Sequence, residues 1–327
     1  MTLRVLIRCD ASPAIGVGHV MRDLVLAAQL DAVGFAVDFA VYELPAYLAD
    51  IIRERGYGLY RLEDPEIGTL TAHADGYDWL VLDHYGIGEA QERQIRAALE
   101  LRLLVFDDTF RRHDADAVLN HGLQVRPGAY RGLVPEGCRV LCGSAYTLLE
   151  RSFLAPPRRR VRRRPMRRVL VTLGGSDVKR RSAVLARMLK RMDPKRAITV
   201  VTTSANPKSE TLVKQGIAQG FRVVRDTNAM AELMAANDLV VTASGGTLFE
   251  AMALGRPFVN LPVASNQEGI VRYLKRRRLR TTLERVSFRD LRNTLHYLQI
   301  NGLRVGRELA KLRFRSNSTA LAMKAMS

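Results

Sequence analysis

The chain has 327 residues, of which 47% are hydrophobic and 6% aromatic, and its formal net charge is +18. This length and composition predict a soluble protein with two domains of ordinary size. No apolar stretch is long enough to cross a bilayer, and Asp10 interrupts the apolar run at the N-terminus, which argues against a signal peptide. The three cysteines lack the spacing of a zinc site and predict reduced thiols in a cytoplasmic protein.

The charge is divided unevenly along the chain. Residues 1–150 contain 14 Lys and Arg against 22 Asp and Glu, whereas the remainder contains 37 against 11. The basic half predicts a phosphate-bearing partner or another polyanion. The low aromatic content argues against nucleic acid, because proteins bind exposed bases by stacking them on aromatic rings. Weak association with an anionic membrane through the arginine-rich half stays open.

In the first half, apolar runs bounded by turn residues alternate with amphipathic stretches. The runs predict strands at 3–8, 35–42, 79–83, 101–108 and 138–143. The periodicity between them predicts helices at 18–33, 45–55 and 88–100.

The same alternation restarts behind the segment 156–166, which is rich in arginine and proline and is predicted to be a linker. Strands are expected at 167–173, 197–203, 221–225, 237–243 and 257–262. Helices are expected at 179–192, 207–218, 228–236, 246–254 and 267–278. Helical patterns at 285–299 and from Gly302 onward are expected to close this half.

Repeated strand–helix alternation is typical of parallel sheets covered by helices on both faces. We therefore predict the α/β class, with two Rossmann-like domains, 1–155 and 167–327, that face each other across a cleft. Ligands of such sheets bind beyond the carboxyl ends of the strands, so functional residues are expected in the loops that follow strands.

The stretch ASPAIGVGHVMRDLVLAAQL (11–30) follows the first predicted strand and places His19 on the first turn of a helix. The positive end of the helix disfavours a protonated imidazole there, so His19 suits a general base that accepts a proton from water. A nearby carboxylate such as Asp10 is a candidate for setting the tautomer of His19.

Two further polar clusters follow predicted strands of the first half. They are Asp83, His84 and Tyr85, and then Asp107, Asp108, His113 and Asn120. Tyr85 is expected on a rim loop, and His84 is ranked below His19 because it points away from its neighbours. His73, His113 and His121 are expected at the surface, and His296 is expected to be a packing or surface residue.

A divalent metal is the alternative reading of these clusters, with five side chains as possible ligands: His19, His84, Asp83, Asp107 and Asp108. The sequence contains no H-E-x-x-H or H-x-H pattern, and paired aspartates at a strand end often only cap a turn. We therefore expect neither a metal nor a cofactor.

In the basic half, two predicted strands end in Gly-Gly loops: LGGSD (173–177) and ASGGT (243–247). Glycines let backbone N–H groups approach an anion closely, and the helix that follows directs its positive end to the same point. Neither loop is a Walker sequence and no G-x-G-x-x-G follows a strand, so the loops predict a nucleotide-diphosphate site of another kind.

Polar side chains near these loops suit a nucleotide sugar. Ser244 and Thr247 can donate hydroxyl groups to phosphate oxygens, and Glu250 can accept hydrogen bonds from ribose hydroxyls. The amides of Asn266 and Gln267 follow the next strand and suit sugar hydroxyl or acetamido groups.

Five blocks of the sequence together resemble one known protein family. DASPAIGVGHVMRDLVLA (10–27), LDHYGI (82–87), VTLGGSD (171–177), ASGGTLFEAMALGRPFV (243–259) and NQ (266–267) resemble the PseG family. Members of that family are UDP-sugar hydrolases of pseudaminic acid biosynthesis, which serves flagellin or surface-polysaccharide glycosylation. They have a GT-B fold related to MurG.

The resemblance implies hydrolysis of UDP-2,4-diacetamido-2,4,6-trideoxy-β-L-altrose to UDP and the free sugar without metal. Attack of water from the face opposite UDP would invert the anomeric centre. His19 would be the catalytic residue that positions and deprotonates the attacking water. Tyr85 would lie beside the sugar, and Asp10 would also be a catalytic residue. The residues implied to bind UDP or the sugar are Gly18, Gly175, Ser176, Ser244, Gly245, Gly246, Thr247, Glu250, Asn266 and Gln267.

Other functions stay open at this point. A glycosyltransferase on the same fold would use a hydroxyl acceptor in place of water, and the arginine-rich half would dock it to a membrane or lipid-linked acceptor. A spore-coat SpsG-type relative with another sugar would share most of the blocks. A nucleotide-sugar-binding protein without turnover is a third class, against which the presence of His19 and Tyr85 argues.

Overall fold

The computed structural model describes residues 2–12, 15–154, 166–174, 177, 180–204 and 206–327. The chain divides into an N-terminal unit, Met1–Leu148 with Phe314–Ser327, and a C-terminal unit, Leu149–Arg313. The predicted linker lies outside the described residues except for Met166. The expectation that the second domain runs to residue 327 is wrong for residues 314–327, which pack into the N-terminal unit.

The N-terminal unit contains a seven-stranded, fully parallel sheet in the order β3-β2-β1-β4-β5-β6-β7. The strands are β1 (Arg4–Cys9), β2 (Ala36–Val41), β3 (Gly58–Arg61), β4 (Trp79–Asp83), β5 (Arg102–Phe106), β6 (Ala117–Asn120) and β7 (Arg139–Cys142). The sequence missed β3 and β6 because these four-residue strands lack a long apolar run.

The helices of this unit are α1 (Gly18–Asp31), α2 (Ala46–Glu54), α3 (Ile67–Ala74), α4 (Glu89–Ala98) and α12 (Ser318–Lys324). Successive side chains of a strand point to opposite faces, so β1 divides its apolar residues between two cores. Val5 and Ile7 lie in one core, together with Leu24 of α1, and Leu6 lies in the other.

The C-terminal helix α12 belongs to the N-terminal unit because its apolar side chains complete that core. Ala320 and Met323 are fully buried there. Lys324 Nζ donates to the Val33 carbonyl at 2.6 Å, and the Trp79 indole N–H donates to Ser327 Oγ at 2.8 Å. The sequence could not show this, because the contacts join residues some 250 to 290 positions apart.

The C-terminal unit contains a five-stranded parallel sheet in the order β10-β9-β8-β11-β12. Its strands are β8 (Arg168–Thr172), β9 (Ala197–Thr202), β10 (Arg222–Arg225), β11 (Leu239–Ala243) and β12 (Phe258–Leu261). The sequence predicted all five. Each unit therefore has the Rossmann-like architecture expected, and the predicted α/β class is confirmed.

The helices of the C-terminal unit are α5 (Arg151–Leu154), α6 (Ser182–Met192), α7 (Ser209–Gln219), α8 (Met230–Ala236), α9 (Gly246–Ala253), α10 (Glu268–Arg276) and α11 (Phe288–Leu309). The two helical patterns predicted around Gly302 form one helix, α11. Its buried stripe continues on both sides of the glycine, through Leu298 and Val305, and this packing outweighs the low helix propensity of glycine. None of the described helices has the length and apolarity needed to span a membrane.

Candidate active site

His19 lies on the first turn of α1, as the sequence predicts. The loop from β1 turns at Gly16, whose φ of +84° is rarely adopted by residues with a side chain. The Gly16 N–H donates to the Ser12 carbonyl at 2.7 Å and closes the loop just before the helix begins. The side chain of His19 keeps 11% of its surface exposed, so the ring is not sealed in the core.

Asp83 is the group that orients His19. It ends β4, the strand beside β1, and its Oδ1 lies 2.7 Å from His19 Nδ1. So close to a carboxylate oxygen, Nδ1 has to carry a proton, because two facing lone pairs would repel each other. Neutral His19 therefore keeps its lone pair on Nε2, which can accept a proton from another molecule.

Arg22, one turn along α1, holds the same carboxylate. Its Nε donates to Asp83 Oδ2 at 2.5 Å, and its Nη2 donates to Oδ1. Burial raises the pKa of Asp83, but the Arg22 charge and the His19 hydrogen bond outweigh burial and hold that pKa well below its usual range. Asp83 is therefore a permanent carboxylate that anchors Arg22 and His19 together.

Asp10 does not orient His19, contrary to the expectation from sequence. Arg8 donates to both oxygens of Asp10, at 2.5 and 2.8 Å, and the Tyr42 N–H donates to Oδ1 at 2.7 Å. His84 Nε2 lies 3.4 Å from its Oδ2. Asp10 thus ties the end of β1 to the loop after β2, while sheet register brings Asp83 to the imidazole.

Tyr85 lies on an exposed loop, as expected, and its ring meets His19 edge to face with centroids 5.1 Å apart. The Tyr85 hydroxyl lies 2.8 Å from a carboxylate oxygen of Asp108, to which it donates, and Arg111 Nη1 donates to the Tyr85 carbonyl at 2.7 Å. Asp108 and Arg111 follow β5, so two strand-end loops hold Tyr85 against His19.

Two histidines expected at the surface lie elsewhere. His113 is buried between Glu92 of α4, 2.7 Å from its Nδ1, and Asp107. Burial lowers the pKa of His113, but the nearby carboxylates of Asp107 and Glu92 outweigh burial and raise that pKa to about 9. The surface assignment is therefore wrong, because sequence does not show that the cationic ring is neutralised by acids from other elements.

His121 is partly buried at the end of β6 and takes part in the electrostatics of the candidate site. Burial lowers its pKa to about 4, with a further contribution from the positive charge of Arg22. His121 is thus a neutral imidazole near the Arg22 guanidinium, and sequence reasoning missed it.

Asp23 follows Arg22 on α1 and is fully buried. Its carboxyl contacts Asp83 and the Cys9 thiol, and neither oxygen receives a hydrogen bond from an N–H or O–H group of the described residues. Burial raises the pKa of Asp23, and the charge of Asp83 raises it further. Asp23 is thus held as the neutral acid, and the Asp23–Asp83 pair carries a single negative charge.

In the C-terminal unit, β11 ends at Ala243 and α9 begins at Gly246, as the sequence predicts. Between them Ser244 is buried, and its Oγ accepts a hydrogen bond from Asn260 Nδ2 at 2.9 Å. A side chain on Gly246 would meet no atom within 4 Å, so this backbone faces open space. The loop leaves room for an anion at the start of the helix.

Gln267 reaches the same loop from the segment after β12. Its Oε1 accepts the Val263 N–H at 2.8 Å, and its Nε2 lies 3.6 Å from where a Cβ on Gly245 would stand. Asn266 beside it is exposed, and Thr247 lies on the first turn of α9. The structure therefore brings Gln267 and the Gly-Gly loop together, as the sequence predicts.

Glu250 lies one turn into α9. Burial raises the pKa of its carboxyl to about 8, with a smaller contribution from the negative charge of Glu150. Without a ligand, Glu250 is therefore mostly neutral near pH 7.

The other Gly-Gly loop follows β8. Gly174 has a φ of +91° and open space around it. The carboxylate of Asp177 accepts the backbone N–H groups of Arg181 and Ser182 at 3.0 and 3.1 Å, and thereby caps α6. Gly175 and Ser176, which the sequence assigns to UDP binding, lie outside the described residues.

Gly18 opens α1, and a side chain there would meet no atom within 4 Å.

Within the described ranges, no three His, Cys, Asp or Glu side chains are grouped so that they could hold a metal ion. Asp83 and Asp107 are two of the possible metal ligands named from the sequence. Asp83 accepts hydrogen bonds from Arg22, and Asp107 accepts them from Thr109 and Tyr130.

Comparison with known proteins relates the chain to nucleotide-sugar enzymes. No family model matches the chain. A Campylobacter jejuni protein named UDP-2,4-diacetamido-2,4,6-trideoxy-beta-L-altropyranose hydrolase is 30% identical over 278 residues, which cover 84% of this chain and 97% of that protein. The spore coat polysaccharide biosynthesis protein SpsG of Bacillus subtilis is 29% identical over 198 residues, 58% of this chain and 57% of that protein.

Among solved structures, MurG of Acinetobacter baumannii is similar to this chain with a TM-score of 0.69, and the match covers 100% of both chains. The two sequences are 13% identical. This likeness shows that the chain has a GT-B-like fold.

The neutral state of Asp23 makes stability depend on pH. Its pKa is raised by folding, so the unfolded chain releases the proton first, and wild-type stability falls as pH rises between the two pKa values. Asp23→Asn has no proton to lose. We compare the free energies of unfolding of Asp23→Asn and wild type, measured with urea. Their difference is expected to shift in favour of the variant by about 1.4 kcal/mol per pH unit above about pH 4.

The matched control is Asp31→Asn, which changes an exposed acid at the end of the same helix. Its stability difference from wild type is expected to stay nearly constant over the same pH range. If the Asp23→Asn difference were equally flat, Asp23 would be ionised in the folded protein and the single-charge description would be wrong.

Proposed function

The chain belongs to the PseG family of UDP-2,4-diacetamido-2,4,6-trideoxy-beta-L-altropyranose hydrolases, and we propose that it hydrolyses this UDP-sugar to UDP and the free sugar. The relative that supports the substrate is matched over 97% of its length. The observation that carries the chemistry is the 2.7 Å contact between His19 Nδ1 and Asp83, which leaves Nε2 as the acceptor of a proton.

In the proposed reaction, the oxygen of a water molecule bonds to the anomeric carbon while one of its protons passes to His19 Nε2. The bond between the anomeric carbon and the β-phosphate oxygen breaks, and its electron pair stays on UDP. Asp83 stabilises the imidazolium that forms, because its carboxylate is ionised and already hydrogen-bonded to Nδ1. Attack from the face opposite UDP inverts the anomeric centre.

UDP is a good leaving group once its charge is spread over hydrogen-bond donors. We propose that Ser244, Gly245, Gly246 and Thr247 bind its phosphates, since their backbone opens the helix α9 and faces free space at Gly246. We propose that Gly175 and Ser176 of the other Gly-Gly loop, 173–177, also bind UDP. Glu250 is proposed to accept hydrogen bonds from the ribose hydroxyls.

The sugar is proposed to bind against Tyr85 and Gly18, with the amides of Asn266 and Gln267 serving its acetamido groups or the diphosphate. Tyr85 supports this placement because its ring touches His19 while its hydroxyl is held by Asp108. No cofactor is needed for the proposed steps, since His19 alone removes the proton.

The second candidate is a glycosyltransferase, which the GT-B-like fold shared with MurG favours. The same His19 would then deprotonate a hydroxyl group of an acceptor instead of water. The two reactions differ in one requirement, because the hydrolase releases UDP with no acceptor present.

We propose that the protein binds a UDP-linked amino sugar in the cytoplasm and that it does not bind nucleic acid. We also propose that the arginine-rich half associates weakly with an anionic membrane. The fully described stretch 268–315 of that half contains 14 Lys and Arg against 4 Asp and Glu, which supports an anionic surface as a partner.

His19→Gln tests the proposed base. The glutamine keeps a polar side chain beside Asp83 but cannot accept a proton, so hydrolysis is expected to fall by about 10²- to 10⁴-fold. The UDP dissociation constant, measured by calorimetry, is expected to change less than about threefold, because the proposed phosphate site is built from other residues. The matched control is His73→Gln, because His73 lies outside the candidate site, with its Nδ1 2.9 Å from the Thr69 carbonyl of its own helix.

The assay contains the UDP-sugar, buffer in ¹⁸O-water and no other hydroxyl compound, with product NMR and mass spectrometry. Hydrolysis gives UDP and a free sugar labelled at the anomeric oxygen. UDP release that depends on an added acceptor would favour the glycosyltransferase. Full activity of His19→Gln would remove His19 from the chemistry.

The raised pKa of Glu250 predicts pH-dependent UDP binding. Ribose hydroxyls donate better to a carboxylate than to a neutral acid, so binding favours the ionised form and releases a proton. UDP affinity is therefore expected to rise several-fold between about pH 6.5 and pH 8.5 as Glu250 loses its proton. UDP phosphate also titrates near the lower limit, so Glu250→Gln is the control.

In Glu250→Gln the part of the pH dependence that comes from this side chain is expected to vanish, while the part from the phosphate stays. Identical pH profiles for wild type and Glu250→Gln would show that this carboxyl does not bind the ribose.

A further inference from the structure

The long helix α11 presents an unusual outer surface. Three of its large apolar side chains are well exposed: Phe288 (42%), Ile300 (59%) and Leu303 (47%). Three of the four exposed arginines of α11 accompany them: Arg289, Arg292 and Arg304. We call these six residues the α11 face.

The six residues share one side of the helix. At about 100° per residue they fall within an arc of roughly 160°, and along the axis they extend over about 24 Å. The buried residues of α11, among them Leu291, Leu295 and Leu298, occupy the opposite side and anchor the helix in the C-terminal unit. The α11 face is therefore a surface strip and not part of the core. The same side of the helix also carries the exposed side chains of Asn293, His296, Gln299 and Arg307.

The three arginines of this strip form no ion pairs within the described part of the protein. Glu308, one turn beyond Arg304, is paired with Arg277 and Lys311, and Asp290, beside Arg289 in the first turn of α11, is the one acid within the span of the strip. No ion pair or hydrogen bond to the side chains of Arg289, Arg292 or Arg304 is found among the described residues. Their charge is free to attract an anionic partner.

The combination of arginine with exposed apolar side chains favours one class of partner. A lipid bilayer with anionic headgroups attracts the guanidinium groups and at the same time accepts apolar side chains at the boundary of its acyl chains. Arginine can lie along that boundary with its charged end among the headgroups.

Two other partners fit less well. Nucleic acid would use the arginines, but Ile300 and Leu303 gain nothing from a phosphate backbone, and Phe288 is the single aromatic ring of the strip. A second copy of the chain would bring equal positive strips together, and their repulsion opposes contact.

We propose that the α11 face docks the protein peripherally on a membrane containing anionic phospholipid. The apolar side chains enter the interface and the arginines bind headgroup phosphates. This docking rests on the membrane association included in the proposed function and assigns it a surface. It is independent of the proposed hydrolysis, because none of the six residues belongs to the candidate active site.

The test is co-sedimentation of the full chain with vesicles of phosphatidylcholine alone and with about one third phosphatidylglycerol. Binding is expected to the mixed vesicles only, and to weaken when salt is raised from about 0.05 to 0.5 M, because surface charges are then screened. Equal binding to both vesicle types, or to neither, overturns the proposal.

Two variants locate the contact. The triple reversal R289E/R292E/R304E is expected to weaken vesicle binding by at least about tenfold, and I300S/L303S by at least about threefold, because each buried methylene group adds to binding. The matched control is R126E/R131E/R139E, which makes the same charge change at exposed arginines of the N-terminal unit and is expected to alter binding less than twofold.

Thermal unfolding and UDP binding at wild-type levels show that the variants are folded. Equal loss in the control variant would mean that net charge, not the α11 face, drives binding, and would contradict the proposal. Unchanged binding of I300S/L303S would contradict the insertion of apolar side chains. Tighter binding to duplex DNA than to the mixed vesicles at about 0.15 M salt, abolished by the triple reversal, would assign the strip to nucleic acid instead.

Discussion

The carboxylate of Asp83 is the interaction on which the candidate site depends. It receives the Nδ1–H of His19 and two N–H groups of Arg22, so a single residue at the end of β4 fixes both side chains of α1. The parallel register of β4 beside β1 puts this carboxylate under the first turn of the helix. Sheet topology thereby sets the tautomer of the imidazole, and the tautomer decides which nitrogen can accept a proton.

Charge balance allows this arrangement to be buried. An isolated carboxylate in the core is costly, and a second one beside it would be more so. Arg22 neutralises Asp83, Asp23 keeps its proton, and His121 stays neutral beside the guanidinium. Arg22 and Asp83 thus balance each other, and Asp108, whose Oδ2 lies 3.9 Å from Arg22 Nη1, adds a second carboxylate beside the guanidinium. A proton taken by His19 is stabilised by a carboxylate already in place.

Local patterns predicted the strand–helix alternation, the helix that begins at Gly18, the exposed loop of Tyr85 and the meeting of Gln267 with the Gly-Gly loop. The resemblance to the PseG family, confirmed by comparison, predicted the fold. Sequence failed where a contact joins distant residues. It favoured Asp10 over Asp83 because nearness in the chain is not nearness across a sheet, and it put His113 at the surface because Glu92 and Asp107 lie on other elements.

The tautomer of His19 can be measured directly by ¹⁵N NMR of protein labelled at its histidines, at a pH where the ring is neutral, with His19→Gln to assign the signals. The account predicts a protonated Nδ1 and an unprotonated Nε2 for His19, and loss of this preference in Asp83→Ala. Arg22 Nη2 also lies 3.2 Å from Nδ1. A protonated Nε2, with Nδ1 accepting from Arg22, would contradict the account, because no lone pair would remain to activate water.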